Sequence, residues 1–144
     1  MKKDNVSEIF VPDKNQKVSL PYFVTSISAG FPSPADDYID KKLDLNEYLI
    51  ENPSSTFYVR VEGDSMIGAG IYSGDILIVD RSLEAQNRKI VLAILNGEFT
   101  VKKLIKNKKN IVLRAANKNY PDITVKKNMD FMVWGVVTTV IHRV

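Results

Sequence analysis

The chain contains no cysteine, which removes disulfides, thiolate nucleophiles and cysteine-ligated zinc by inventory alone. Histidine is almost as scarce, and the single one, His142, stands third from the end. A serine-histidine-aspartate triad would have to rest on that terminal residue, and a multi-histidine metal site cannot be assembled. No metal or cofactor is therefore expected. Long hydrophobic runs are missing as well. The stretch from Met1 to Phe10 is charged rather than apolar, and no window approaches the roughly 20 apolar residues that span a bilayer. A cytoplasmic location is the expectation.

What remains is ordinary globular composition. At 144 residues, with 44% apolar and 26% charged side chains, the chain is long enough for one well-buried core and too short for two large ones. The formal net charge of +3 is unevenly placed: Lys102, Lys103, Lys106, Lys108 and Lys109 crowd together, with Lys126 and Lys127 further on. Such clusters steer a protein toward DNA or an acidic partner. No aromatic residue interleaves positions 106–110, as a base-stacking platform would require, so a solvated hairpin tip is the plainer expectation.

The pattern changes character near residue 30. Residues 1–30 lack helical periodicity, and only Val18 to Ile27 hold short apolar stretches suited to an edge strand or an extended arm. Phe31-Pro32-Ser33-Pro34 then places Ser33 as an N-cap, Pro34 at a first helical position and Asp36 and Asp37 in a first turn. A helix over about 34–50 is predicted, with a break near Asp44. After Asn52-Pro53 the sequence turns to β-branched and aromatic runs: Thr56–Val61, Ile76–Val79, Ile90–Leu95, Phe99–Ile105, Ile111–Ala115 and Phe131–Ile141. Asn96-Gly97 marks a two-residue hairpin, and Asn107-Lys108-Lys109-Asn110 a second hairpin loop. The fold class is mainly β, a partly closed or sandwiched antiparallel domain with a short helix. The organisation is a mobile N-terminal arm, 1–30, ahead of a β domain, 31–144.

One turn is placed to carry chemistry. Val61-Glu62-Gly63-Asp64-Ser65-Met66 sets a hydroxyl just beyond a strand and a glycine, where a sharp turn presents a serine Oγ beside backbone N–H groups. Gly-Asp-Ser is also a common turn sequence, so the signal is weak alone. A serine nucleophile needs a base, and with histidine set aside the candidates are carboxylates and lysines, a lysine only if it is neutral. Holding a lysine neutral at pH 7 costs about 4.6 kcal/mol against its ordinary pKa of about 10.4, which apolar burial can supply. Phe99-Thr100-Val101-Lys102-Lys103-Leu104-Ile105 puts two lysines inside an apolar strand. Alternation sets Lys103 on the face of Phe99, Val101 and Ile105, and Lys102 with Thr100 and Leu104, which weakly favours Lys103.

Several segments together resemble the LexA/UmuD family of self-cleaving serine-lysine peptidases. They are Glu62-Gly63-Asp64-Ser65-Met66, then Ser73-Gly74-Asp75-Ile76-Leu77-Ile78-Val79-Asp80, then Gly97-Glu98-Phe99-Thr100-Val101-Lys102-Lys103-Leu104. Ala29-Gly30-Phe31-Pro32-Ser33-Pro34, Leu43-Asp44-Leu45-Asn46, Ala115-Ala116-Asn117-Lys118-Asn119-Tyr120-Pro121 and Trp134-Gly135-Val136-Val137 resemble its UmuD branch. The similarity runs over about residues 20–144. It implies a LexA-like peptidase domain with Ser65 as nucleophile and, against the alternation argument, Lys102 as general base. It places the scissile bond between Ala29 and Gly30, so that the arm is removed by self-cleavage. The same resemblance implies an SOS-response role in error-prone translesion synthesis. The partners it implies are a second copy of the chain, a RecA filament on single-stranded DNA as co-protease, and a UmuC-type polymerase. An arm of 30 residues is too short for a helix-turn-helix domain of about 50 or more, so no sequence-specific DNA binding is expected.

Overall fold

The computed structural model describes residues 6–13, 19–22 and 41–144. Its residues form two units, Asp13–Glu51 and a larger one made of Met1–Pro12 with Asn52–Val144.

Strand β1 (Val6–Phe10) opens the larger unit. In the smaller unit, β2 (Ser19–Tyr22) pairs antiparallel with β3 (Lys41–Asp44), and α1 (Leu45–Leu49) follows at once. The expected helix over 34–50 is thus corrected on its described part, because 41–44 is extended and only 45–49 is helical. Where a break in that helix was expected, near Asp44, the helix instead starts, with Asp44 as its N-cap. Its carboxylate Oδ1 accepts from the N–H groups of Asn46 at 2.8 Å and Glu47 at 3.2 Å. Those two bonds satisfy donors that a helix start leaves open, so the helix begins after Asp44 rather than running through it. Pro34 and its neighbours lie outside the described residues.

The larger unit continues with β4 (Thr56–Val61), β5 (Ile76–Asp80), β6 (Ile90–Leu95), β7 (Glu98–Lys106), β8 (Ile111–Arg114), β9 (Ile123–Thr124) and β10 (Phe131–Ile141). All neighbours pair antiparallel, in the order β1-β4-β5-β10-β6-β7-β8-β9. The β-branched runs form the expected strands, and Asn96 (φ 49°) with Gly97 (φ 81°) makes the tight β6–β7 hairpin turn. At the β7–β8 turn, Asn107 Oδ1 accepts from the N–H groups of Lys109 and Asn110. Val6–Phe10, inside the segment expected to be cleaved off, forms the edge strand beside β4. Its run is interrupted by Ser7 and Glu8, so alternation shows only faintly.

β10 is shared between two partners, β6 along residues 131–136 and β5 along 136–141, with register shifts between Val133 and Gly135 and between Val137 and Thr139. Bulges of this kind bend a strand and re-aim the sheet. Two cores result. One joins Val59, Leu77, Val79, Leu92 and Val101 with Val6 and Ile9 of β1, and the other joins Val91, Ala93, Leu104, Leu113 and Val136. Fully buried Leu77, Leu92, Leu104 and Leu113 each contribute on the order of 1.5–3 kcal/mol. β7 serves both cores, through Val101 on one face and Leu104 on the other.

Asp80, at the end of β5, fastens the turn that leads into β4. It accepts from Asn52 Nδ2, Ser55 Oγ, Ser82 Oγ and the Ser82 N–H. Burial works against its ionisation, but the hydrogen bonds from Ser82, Asn52 and Ser55 outweigh it and hold the carboxyl below its ordinary pKa. Among the described residues no helix is long and apolar enough to cross a membrane.

Candidate active site

Between β4 and β5 the chain forms a loop closed upon itself. Val61 exchanges backbone hydrogen bonds with both ends of the return, accepting from Gly74 N–H at 2.8 Å and donating to the Asp75 carbonyl at 3.0 Å. Gly63 sits at φ 96°, a left-handed conformation that glycine adopts without steric cost, and its N–H donates to Ser73 Oγ at 3.2 Å. Two residues later comes Ser65, fully buried, followed by buried Met66 and a short 3-10 turn at Ile67–Ala69.

The loop is held from outside by the segment after β8. Gly68 N–H donates to the Ala116 carbonyl at 2.7 Å. A Cβ at position 68 would stand 2.6 Å from that same oxygen, so only glycine permits the approach. Asn117 Nδ2 donates to the Asp64 carbonyl at 2.9 Å, and Tyr120 Oη donates to the Asp64 carboxylate at 2.5 Å. Ser65 is bracketed in this way, one residue before it and three after it, by a segment distant in sequence. Asn117 and Tyr120 belong to the Ala115–Pro121 segment that carries part of the family resemblance, but nothing in the sequence pattern points to this role for them.

Lys102 arrives from β7, opposite Val91 of β6. It is 4% exposed, and its Nζ lies 3.1 Å from Ser65 Oγ, 3.0 Å from Thr100 Oγ1 and 3.2 Å from the Val101 carbonyl. Thr100 reaches the amine because residues two apart share one face of a strand. A neutral amine has two N–H donors and one lone pair. It can donate to Val101 O and Thr100 Oγ1 while accepting the Ser65 hydroxyl proton. Lys103 is half-buried, and Lys102 is the lysine of the pair that reaches Ser65. Alternation favoured Lys103 because it treated one face of β7 as polar. Both faces are covered, so adjacent Val101, at 4%, and Lys102 are equally buried.

Ala29 and Gly30 lie outside the described residues. His142 is anchored rather than frayed: its Nδ1 is 2.6 Å from Asp75 Oδ1 and its ring packs on Tyr72 at 5.1 Å between centroids. Among the described residues no group of three or more His, Cys, Asp or Glu is placed to hold a metal ion.

Residues 21–138 match the Peptidase S24-like family. The chain is 40% identical to protein ImpA of Salmonella typhimurium over 132 residues, covering 92% of this chain and 90% of that protein. It is 43% identical to protein MucA of Escherichia coli over 121 residues, covering 83% and 82%. It is 44% identical to protein SamA of Salmonella typhimurium strain LT2 over 125 residues, covering 87% and 86%. With the buried Ser65 of the β4–β5 loop in contact with the buried Lys102 of β7 in a mainly β domain, the chain belongs to the Peptidase S24-like family, in its LexA/UmuD group.

Proposed function

We propose that the chain cuts itself between Ala29 and Gly30, with Ser65 as nucleophile and Lys102 as general base. The trimmed form then works as a homodimeric accessory subunit of a UmuC-type polymerase in SOS-induced, error-prone synthesis past DNA lesions. The observation that carries this reading is the 3.1 Å approach of Lys102 Nζ to Ser65 Oγ in a setting closed to bulk water. Similarity to ImpA, MucA and SamA supports the accessory role.

In this mechanism Lys102 Nζ takes the Ser65 proton as Oγ bonds to the Ala29 carbonyl carbon. Backbone N–H groups at or next to Ser65 stabilise the oxyanion. Collapse breaks the Ala29–Gly30 C–N bond, and the protonated amine gives its proton to the departing Gly30 nitrogen. Water, activated by the same amine, then hydrolyses the ester. A tethered substrate raises effective concentration, so docking of the scissile segment controls the rate. A RecA filament on single-stranded DNA acts as co-protease by favouring the docked state.

Intact-mass measurement after incubation with RecA, an ATP analogue and single-stranded DNA tests the proposal. The expected product comprises residues 30–144, and cleavage at another bond would remove the site assignment.

A further inference from the structure

The lysines noted in the sequence as a hairpin tip gather onto one edge of the larger unit. Lys106 ends β7, and Lys108 and Lys109 form the turn into β8. Val125 N–H donates to the Ile111 carbonyl at 2.8 Å, which brings Lys126 and Lys127 beside the same turn. On the other flank, Leu104 N–H donates to the Lys89 carbonyl at 2.9 Å and Lys106 N–H donates to Asn87 Oδ1 at 2.8 Å. Four chain segments therefore lie side by side with these side chains exposed. At about 4.8 Å between neighbours the basic band is about 15 Å wide.

Three features decide what such an edge suits. None of these lysines forms an ion pair among the described residues, whereas Arg60 is paired with Glu8 and Arg114 with Asp122. No exposed large hydrophobic side chain falls on segments 87–89, 103–114 or 123–127. The cations at the tip are lysines, which bind phosphate as mobile point charges rather than through a fixed fork. Protein interfaces are depleted in lysine and centred on aromatic, Met and Arg side chains, so an acidic protein surface is the poorer match. Duplex DNA carries a negative charge about every 1.7 Å of axis, both strands counted, so a length of duplex equal to this band carries about nine of them.

We infer that the edge built from Lys89, Lys106, Lys108, Lys109, Lys126 and Lys127 is a sequence-independent contact surface for nucleic-acid phosphates. It is separate from the Ser65 loop and does not depend on cleavage. Without stacking aromatics, affinity comes from counterion release, and each phosphate contact adds about 0.9 to the log-log salt slope on duplex and about 0.7 on single strands.

Fluorescence anisotropy with the full chain and labelled 20-mers of two unrelated sequences, from 50 to 200 mM KCl, tests this. Expected is equal binding to both sequences that weakens steeply with salt. K108E/K109E should bind at least about tenfold more weakly at 50 mM and lower the slope by about 2. The charge-matched control K118E/R143E should stay within about twofold of the parent, and all three proteins should share one melting transition. Three outcomes overturn the inference: no binding by the parent chain at 50 mM, binding retained by K108E/K109E, or equal loss in the control. Displacement of the oligonucleotide by poly-glutamate as readily as by heparin of equal charge would also overturn it, assigning the edge to an acidic protein.

Discussion

Tyr120 donates a 2.5 Å hydrogen bond to the carboxylate of Asp64, the residue immediately before Ser65. With Asn117 on the Asp64 carbonyl and Ala116 on Gly68 N–H, it sets the path of the backbone that presents Ser65. A hydrogen bond to a charged group contributes about 1.5–3 kcal/mol. Tyr120→Phe should therefore slow self-cleavage by about tenfold or more while the fold persists. Assayed in trans on a separate substrate chain, the loss should fall on kcat with little change in KM if Ser65, whose backbone Tyr120 positions through Asp64, is the nucleophile as proposed. Gly68→Ala should be worse, because its Cβ meets the Ala116 carbonyl at 2.6 Å. An unchanged kcat in Tyr120→Phe would reduce this bond to a structural tie.

Alanine at Ser65 should abolish cleavage with the melting transition retained. Lys102→Ala should do the same by removing the amine 3.1 Å from the hydroxyl. Lys103→Ala should leave most of the activity, because Lys103 is not the lysine in contact with Ser65. Gel or mass analysis of the three variants decides the assignment, and the opposite pattern for the two lysines would reverse it.

Asp80 sets an acid-side dependence of stability. Its folded pKa is below the ordinary value, so the carboxylate's contribution is complete above the unfolded pKa of about 3.9 and is lost as pH falls through the folded value. Asp80→Asn should cost about 1–3 kcal/mol at pH 7, measured by urea unfolding. The gap between variant and parent should narrow as the pH falls below about 4. A gap that stays constant to pH 3 would mean the loss comes from packing, not from the charge-assisted bonds.

Much of this molecule was readable before folding was considered. The β-branched runs specify β4, β6 and β10, because a half-buried pleated surface favours those side chains wherever they occur. Asn96-Gly97 specifies the tight turn, since both residues tolerate positive φ. The absence of cysteine and the single histidine excluded a thiolate and left carboxylates and lysines as candidate bases for a hydroxyl nucleophile. Alternation pointed to Lys103 and the family resemblance to Lys102, and tertiary structure brings Lys102 to Ser65. Period-2 alternation distinguishes the two faces of a strand but does not say what covers each face, and β7 is buried on both. The hold on Asp64 and Gly68 was equally invisible, because Ala116, Asn117 and Tyr120 approach them through chain reversals that no local pattern encodes. The strand at Val6–Phe10 went unseen for the same reason: a short run becomes a strand when an open edge, here β4, accepts its hydrogen bonds.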